Sequence, residues 1–360
     1  MKVLHILNTG HRNFGGKERA TLELIFGMRE RNIDAQLLCL REGLTNRLAQ
    51  KMEIPVSVCK VRWPTNLNLV FAVASYMKRA RFELVHTHDF RENVIGRLAA
   101  KLAKMPVITT IHGLAKLCLD MPWIKRAAYH ALDMMTISMS ECFIVLSEQD
   151  RNFLSKKVAQ DKIHTIPVAL KAAPKPTRRE VDYKRAFVLG SAGRLDKQKG
   201  FDILAEAAKE LIDEGENVKF VIAGTGPREK ELKALVEKLG ISERFELLGF
   251  VEDMDEFYRS LDAFVLPSLV ERMPLVILEA QAHGLFVIAT DVGAIPEMIQ
   301  DGKTGFIIKS ADCQALVDAM KNLLKNREPI EQVASLAIEQ NVAFDEMVEK
   351  TIKVYKEVLR

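Results

Sequence analysis

Short apolar runs alternate with amphipathic stretches of helical period along almost the whole chain. In the first half, residues 3–8, 35–40, 84–87, 107–111 and 142–146 read as strands, and residues 18–31 and 93–104 as helices between them. Such alternation implies parallel strands joined by crossover helices. The pattern lapses over residues 171–184, where Ala173-Pro174-Lys175-Pro176-Thr177-Arg178-Arg179 is basic, proline-rich and aperiodic, the composition of a linker. It then resumes, with strands at 186–191, 219–223, 245–248, 263–266 and 286–289 and helices at 202–214, 229–239, 254–260, 275–282 and 313–326. The expected fold is α/β, with two doubly wound parallel-sheet domains facing a cleft. The expected boundaries are 1–170 for the first domain, 171–185 for the linker and 186–341 for the second. In the last segment, 342–360, Phe344, Val348, Ile352, Tyr355 and Leu359 share one helical face. That face must pack on something, and periodicity does not say on which half.

Length agrees with two cores, because 360 residues exceed what one hydrophobic core usually serves. Five cysteines, at 39, 59, 118, 142 and 313, have no C-x-x-C spacing and read as reduced thiols of a cytoplasmic protein. Residues 3–7 are a strand rather than a secretory apolar region, and no uncharged stretch is long enough to span a membrane. The expectation is a soluble protein or one peripheral to the inner face of a membrane. Charge is uneven. Residues 1–170 hold 25 basic and 15 acidic side chains, and residues 171–360 hold 27 and 33. The basic first half favours an anionic partner, including an anionic membrane surface, against the alternative of ordinary solvation; nothing in it implies nucleic acid. Trp123-Ile124-Lys125-Arg126 opens an amphipathic stretch suited to the same surface.

Open parallel sheets bind ligands beyond the carboxyl ends of their strands, so the loops there carry the candidate chemistry. Glu271 and Glu279 frame a mostly apolar run, Arg272-Met273-Pro274-Leu275-Val276-Ile277-Leu278. Pro274 suits a helix start, which puts Glu271 in the preceding loop and Glu279 in the second turn. A carboxylate among Val276, Ile277, Leu278 and Ala280 needs a cation, backbone donors or a ligand rich in hydroxyls. Upstream, Arg194 and Lys199 bracket the loop Gly193-Arg194-Leu195-Asp196-Lys197-Gln198-Lys199-Gly200, and a helix begins at Phe201. Two cations with free N–H groups at a helix start make a diphosphate site; the alternative is a solvated basic turn. Gly15-Gly16 allow a backbone to approach a ligand closely, or merely turn a strand into a helix. Gly224-Thr225-Gly226-Pro227 is an incomplete dinucleotide fingerprint, because Glu229 stands where a third glycine belongs. His112-Gly113 ends a strand, as His86 and His88 end the one before. A metal site from His86, His88 and Asp89 is disfavoured because alternation along a strand splits their directions. Glu252 to Glu256 is an acidic cluster better suited to capping a helix than to holding a metal.

Taken in order, these motifs resemble the retaining family 4 glycosyltransferases, whose GT-B architecture has two Rossmann-like domains. The resemblance runs over nearly the whole chain. It rests on Gly15-Gly16, Val85-His86-Thr87-His88, Thr110-Ile111-His112-Gly113 and Gly193-Arg194-Leu195…Lys199-Gly200. It continues through Ala223-Gly224-Thr225-Gly226-Pro227, Pro267-Ser268…Glu271…Glu279-Ala280, Thr290-Asp291-Val292-Gly293 and Asp301-Gly302…Gly305. It implies a nucleotide-sugar donor, of UDP or GDP type, on the second domain. Arg194 and Lys199 would grip the diphosphate and stabilise the leaving group. Glu279 would accept ribose hydroxyls, Glu271 would contact the transferred sugar, the N–H groups of Leu275 and Val276 would add to the phosphate site, and Val251 would flank the base. Gly16, beside Gly15, and His112 would come from the first domain, His112 near the sugar and the α-phosphate. The last helix would cross back to the first domain. The resemblance implies no cofactor and no obligatory metal, retention of anomeric configuration, and a cell-envelope glycan or lipid-linked acceptor. One departure stands out. Arg272-Met273-Pro274 occupies the place of the family's frequent Gly-Phe-Gly, so Pro274 supplies no N–H there. The rivals are a sugar-nucleotide epimerase of the same architecture, a nicotinamide-dependent oxidoreductase and a non-catalytic sugar-binding module.

Overall fold

The computed structural model describes residues 1–7, 15–59, 66–88, 90–112, 122–171, 185–326, 333 and 339–360. The chain divides into two compact units, Met1–Ala169 with Ala343–Arg360, and Leu170–Val342.

The first unit is built on β1 (Lys2–Leu7), α1 (Gly16–Glu30), β2 (Asp34–Cys39), α2 (Leu44–Lys51), β3 (Val56–Val58), α3 (Asn66–Ala80), β4 (Leu84–His88), α4 (Phe90–Ala103), β5 (Val107–Ile111), α5 (Trp123–Thr136), β6 (Cys142–Val145), α6 (Glu148–Leu154) and β7 (Ile163–Thr165). Its seven strands are all parallel, in the order β3-β2-β1-β4-β5-β6-β7. The expected strand 3–8 is β1, and Asn8 lies outside the described residues. Every residue of β4 and β5 is buried, as strands covered on both faces must be. Buried Arg97 of α4 donates to Asp133 of α5 at 2.7 Å and to Ser140 at 2.9 Å, which ties both helices to the sheet.

The second unit follows as β8 (Phe187–Ala192), α7 (Phe201–Asp213), β9 (Val218–Ala223), α8 (Glu229–Leu239), β10 (Phe245–Gly249), α9 (Met254–Arg259), β11 (Ala263–Leu266), α10 (Leu275–Ala282), β12 (Phe286–Thr290), α11 (Ile295–Met298), β13 (Gly305–Ile308) and α12 (Cys313–Lys325). Its strands are parallel in the order β10-β9-β8-β11-β12-β13. One apolar cluster on this sheet centres on Phe187, Phe220 and Val265. Another centres on Phe264, Ile277 and Val287. Alternation along β11 explains the split, since Phe264 and Val265 point to opposite faces.

The final helix, α13 (Glu339–Val358), packs its body on the first unit. Phe344, Val348, Ile352 and Tyr355 are buried, whereas Leu359 lies past the helix end and is exposed, so the predicted face holds in four of five positions. Gly27 of α1 permits the approach. A Cβ there would stand 2.7 Å from Val348 Cγ2 and 2.8 Å from Phe344 Cζ, closer than carbon atoms pack. Cys39, Cys59, Cys142 and Cys313 are free thiols, and Cys118 lies outside the described residues. So does most of the expected linker.

Candidate active site

Each sheet reverses its winding at one place, between β1 and β4 in the first unit and between β8 and β11 in the second. Ligands of doubly wound sheets sit at such switch points, outside the carboxyl ends of the strands.

At the second unit's switch point, the loop after β8 makes a short 3-10 turn over Lys197–Lys199, capped by the Asp196 carboxylate accepting from the Gln198 N–H at 3.0 Å. Gly200 then starts α7 with φ of 63°, and a Cβ there would lie 2.2 Å from the Pro267 carbonyl oxygen. Only glycine meets both demands. The result brings Lys199 to the loop after β11, where its Nζ donates to Glu271 Oε1 at 2.5 Å and the Ser268 hydroxyl donates to the same oxygen at 2.8 Å. Both partners are largely enclosed, with Lys199 17% and Glu271 11% exposed. Either charge alone would be costly in that setting. Arg194 behaves differently. Its side chain is 54% exposed, and Asp196 lies 3.9 Å from its Nε. The loop thus presents one enclosed cation and one open to solvent.

Glu279 sits in the second turn of α10 and is buried. Its Oε2 accepts a hydrogen bond from the Tyr258 hydroxyl of α9 at 2.5 Å. His283 stacks on the Tyr258 ring, with centroids 5.0 Å apart, and its Nδ1 donates to the Glu279 carbonyl at 2.7 Å. The carboxylate therefore has a phenol partner that the sequence pattern did not reveal. Leu275 and Val276 open α10, as expected. Pro274, however, is the capping residue in extended conformation rather than the first helical residue.

The remaining second-unit candidates have packing roles. A Cβ on Gly226 would stand 2.3 Å from the Leu195 carbonyl oxygen, so this glycine lets the loop after β9 close on the Arg194 loop. Gly293 does the same against Glu271 and Arg272, whose carbonyl also accepts from the Ala294 N–H at 2.6 Å. Arg272 is half-buried, and burial pushes its guanidinium pKa down. Val251 packs at the edge of the cluster around Phe264. Asp253 caps α9 by accepting from the Glu256 N–H, which gives the acidic cluster its expected role.

In the first unit, Gly16 begins α1 and the Gly15 N–H donates to Glu18 at 3.0 Å, so the glycine pair forms a helix start. His112 follows β5, and its Nε2 lies 3.1 Å from His88 Nδ1. His88 Nε2 in turn lies 3.0 Å from His5 Nδ1. His86 and His88, two apart on β4, share a face with ring centroids 4.2 Å apart. This corrects the expectation that strand alternation separates them. Asp89 and Gly113 lie outside the described residues. His5 was missed by sequence reasoning. Its signal was its register, since His5 pairs directly with His86 across β1 and β4. Burial pushes the His5 pKa down to about 3, and those of His86 and His88 well below the ordinary imidazole value.

Both halves match models of one enzyme group. Residues 14–171 match "Glycosyltransferase Family 4" and residues 176–340 match "Glycosyl transferases group 1". With two parallel-sheet domains in the GT-B arrangement of elements, the chain belongs to glycosyltransferase family 4 and is a glycosyltransferase. It is similar to the UDP-Gal:alpha-D-GlcNAc-diphosphoundecaprenol alpha-1,3-galactosyltransferase of Escherichia coli, with 29% identity over 85% of this chain and 84% of that one. It is 33% identical to the lipopolysaccharide core biosynthesis mannosyltransferase LpsB of Rhizobium meliloti over 50% of this chain and 54% of that one. In structure it resembles Anabaena HepE, solved with UDP-glucose, with a TM-score of 0.83, 20% identity and coverage of 98% and 100%. Relatives that carry different sugars share this scaffold, so the fold alone does not select the sugar. Among the described residues, no helix is long and apolar enough to cross a membrane.

Proposed function

We propose that the protein is a retaining, metal-independent glycosyltransferase that moves a sugar from a uridine nucleotide-sugar to a lipid-linked acceptor or cell-envelope glycan. The observation that carries the reading is the pair of cations on the loop after β8, with Lys199 held against Glu271 and Arg194 open to solvent. Glycosyl transfer builds charge on the departing diphosphate, and positioned cations stabilise it. Lys199 and Arg194 serve that purpose, which is why no metal ion is required in this scheme. Glu271 is released from Lys199 when phosphate takes its place and then accepts a hydroxyl of the transferred sugar. Glu279, fixed by Tyr258, accepts the ribose hydroxyls. The N–H groups of Leu275 and Val276 add donors for phosphate, and Val251 and Gly226 shape the base and phosphate surroundings. The roles of Gly15, Gly16 and His112 rest on the family resemblance. Of these, His112 contacts the sugar.

In the chemical step, the bond from the anomeric carbon to the diphosphate oxygen breaks. The bond to the acceptor oxygen forms on the same face, and the acceptor's proton passes to the departing phosphate. No covalent enzyme intermediate is needed, and Glu271 is a hydroxyl ligand rather than a nucleophile. Uridine is favoured by the Escherichia coli relative, whose name specifies UDP-Gal, and by HepE, solved with UDP-glucose. A lipid-linked acceptor is favoured by that relative's diphosphoundecaprenol. It is also favoured by α5, whose Trp123, Ile124, Leu132 and Met135 are exposed on a basic unit. Such a stripe suits peripheral contact with an anionic membrane on the cytoplasmic side.

A panel of nucleoside diphosphates followed by UDP-sugars, read by thermal shift and then by UDP release onto lipid-diphosphate acceptors, tests the reading. UDP should raise the melting temperature with and without chelator, and one UDP-sugar should turn over. No shift with any nucleotide would overturn it. Cofactor reduction would favour the oxidoreductase, and sugar isomerisation without acceptor would favour the epimerase. Binding without turnover of any donor would favour a non-catalytic module.

A further inference from the structure

A cavity adjoins His112 in the first unit. It lies at the carboxyl ends of β5, β6 and β7, is lined also by α1 and α13, and measures about 330 Å³ with its open mouth included. Its enclosed end has room for one water- or methyl-sized group. Leu24 of α1, Ile144 and Leu146 from β6 and its end, Val168 beyond β7 and Met347 of α13 supply carbon walls.

The polar residues of the lining already spend their polar atoms elsewhere. The Thr21 hydroxyl donates to the Lys17 carbonyl at 2.8 Å, and the Thr351 hydroxyl donates to the Met347 carbonyl at 2.8 Å. A threonine bonded four residues back along its own helix leaves its methyl to meet a neighbour. Thr110 Oγ1 lies 2.7 Å from His86 Nε2. The two ring nitrogens of His88 are held by His5 at 3.0 Å and by His112 at 3.1 Å. The surface left to the cavity is almost all carbon. Water settles in such a space only where it finds two or more polar partners, and an apolar cavity without them stays dry. Empty apolar space forfeits dispersion contacts, which an apolar group entering it restores.

We propose that this cavity is a methyl subsite, and that the transferred sugar carries a methyl, as an N-acetyl or a 6-deoxy group, that fills its enclosed end beside His112. A hydroxyl placed there would lose its water partners and gain none, so a sugar with only hydroxyl substituents is the poorer fit. A prenyl or acyl chain fits less well too, because the enclosed end takes one methyl and no run of methylenes. The proposal rests on the reading that His112 contacts the transferred sugar, and it adds the class of sugar.

Calorimetry on the full chain tests it with UDP-sugars in pairs that differ by one methyl. UDP-N-acetylhexosamine is set against UDP-N-formylhexosamine, and the UDP-6-deoxyhexose against the UDP-pentose that lacks its methyl. Each pair is run in the gluco and the galacto configuration. The methyl-bearing member of one pair should bind about tenfold more tightly, and the pair that shows this identifies the methyl. A preference below twofold in every pair overturns the proposal. Ala20 of α1 also lines the cavity, so Ala20→Val fills it. That variant should bring the ratio within twofold without lowering the melting temperature, and a ratio still near tenfold overturns the proposal. Should Ala20→Val not fold, magnetisation transfer between the sugar methyl and the Met347 methyl of the unsubstituted protein decides, and its absence overturns the subsite. Binding of no UDP-sugar at all sinks the transferase reading itself, whereas equal binding within every pair sinks only the methyl subsite.

Discussion

The two switch points share a topology and differ in chemistry. In the first unit, the reversal between β1 and β4 gathers His5, His86 and His88, which burial keeps neutral. In the second, the reversal between β8 and β11 gathers Lys199 and Glu271, paired with each other, and Arg194, which is open to solvent. One sheet architecture thus gathers buried imidazoles at one switch point and an ion pair beside a solvent-facing guanidinium at the other. The difference arises in the loops. In the second unit, glycines at 200, 226 and 293 let loops close backbone to backbone, and the charged side chains lie on those loops. In the first unit, the histidines are on the strands themselves and are capped by Tyr355 from α13.

Acid breaks the comparison hardest. His5, His86 and His88 are neutral when folded and take up protons when unfolded, so unfolding consumes protons. Their contribution is complete above pH 6.5 and is lost as pH falls towards the folded values, about 3 for His5. Each ring costs about 1.4 kcal/mol per pH unit in that window, so three cost roughly 4. Hydrogen exchange at pH 7 and pH 5 should show protection lost mainly in β1, β4 and α13. Equal loss in both units would erase the distinction.

The charged site breaks next. Lys199→Ala removes the enclosed cation and leaves Glu271 without its partner at 2.5 Å. Turnover should fall about 10²–10³-fold, as when one positioned donor is lost from a site of developing charge. Lys199→Arg should recover only part, because a planar guanidinium does not fit an ammonium's place. Arg194→Ala should have a smaller effect, weakening UDP binding by about 1.5–3 kcal/mol with little change in melting temperature, because the side chain is already exposed. Calorimetry at two salt concentrations checks this, since a solvent-facing contact should also be the more salt-sensitive of the two. The mildest change is Tyr258→Phe. It frees Glu279 of a phenol at 2.5 Å and should weaken UDP binding by about 1 kcal/mol. The same substitution should matter less with 2′-deoxy-UDP if Glu279 holds the ribose.

Much of this molecule was set by its sequence alone. Repeating apolar runs and helical stretches determine two parallel α/β sheets, because buried parallel strands need continuous hydrophobic segments and crossover helices need one apolar face. The short edge elements β3, β7, β13 and α11 escaped that reasoning, since three or four residues carry no period to read. Position at strand ends singled out Arg194, Lys199 and His112, because loop residues after parallel strands are where such sheets meet ligands, and the apolar run between Glu271 and Glu279 singled out those two carboxylates. Tertiary structure decided the pairings. Lys199 meets Glu271 across 72 residues, Tyr258 meets Glu279 across 21, and Tyr355 meets His86 across 269. Periodicity states which way a side chain points relative to its own element. Which group it finds there depends on how distant elements pack, and that is a property of the folded chain.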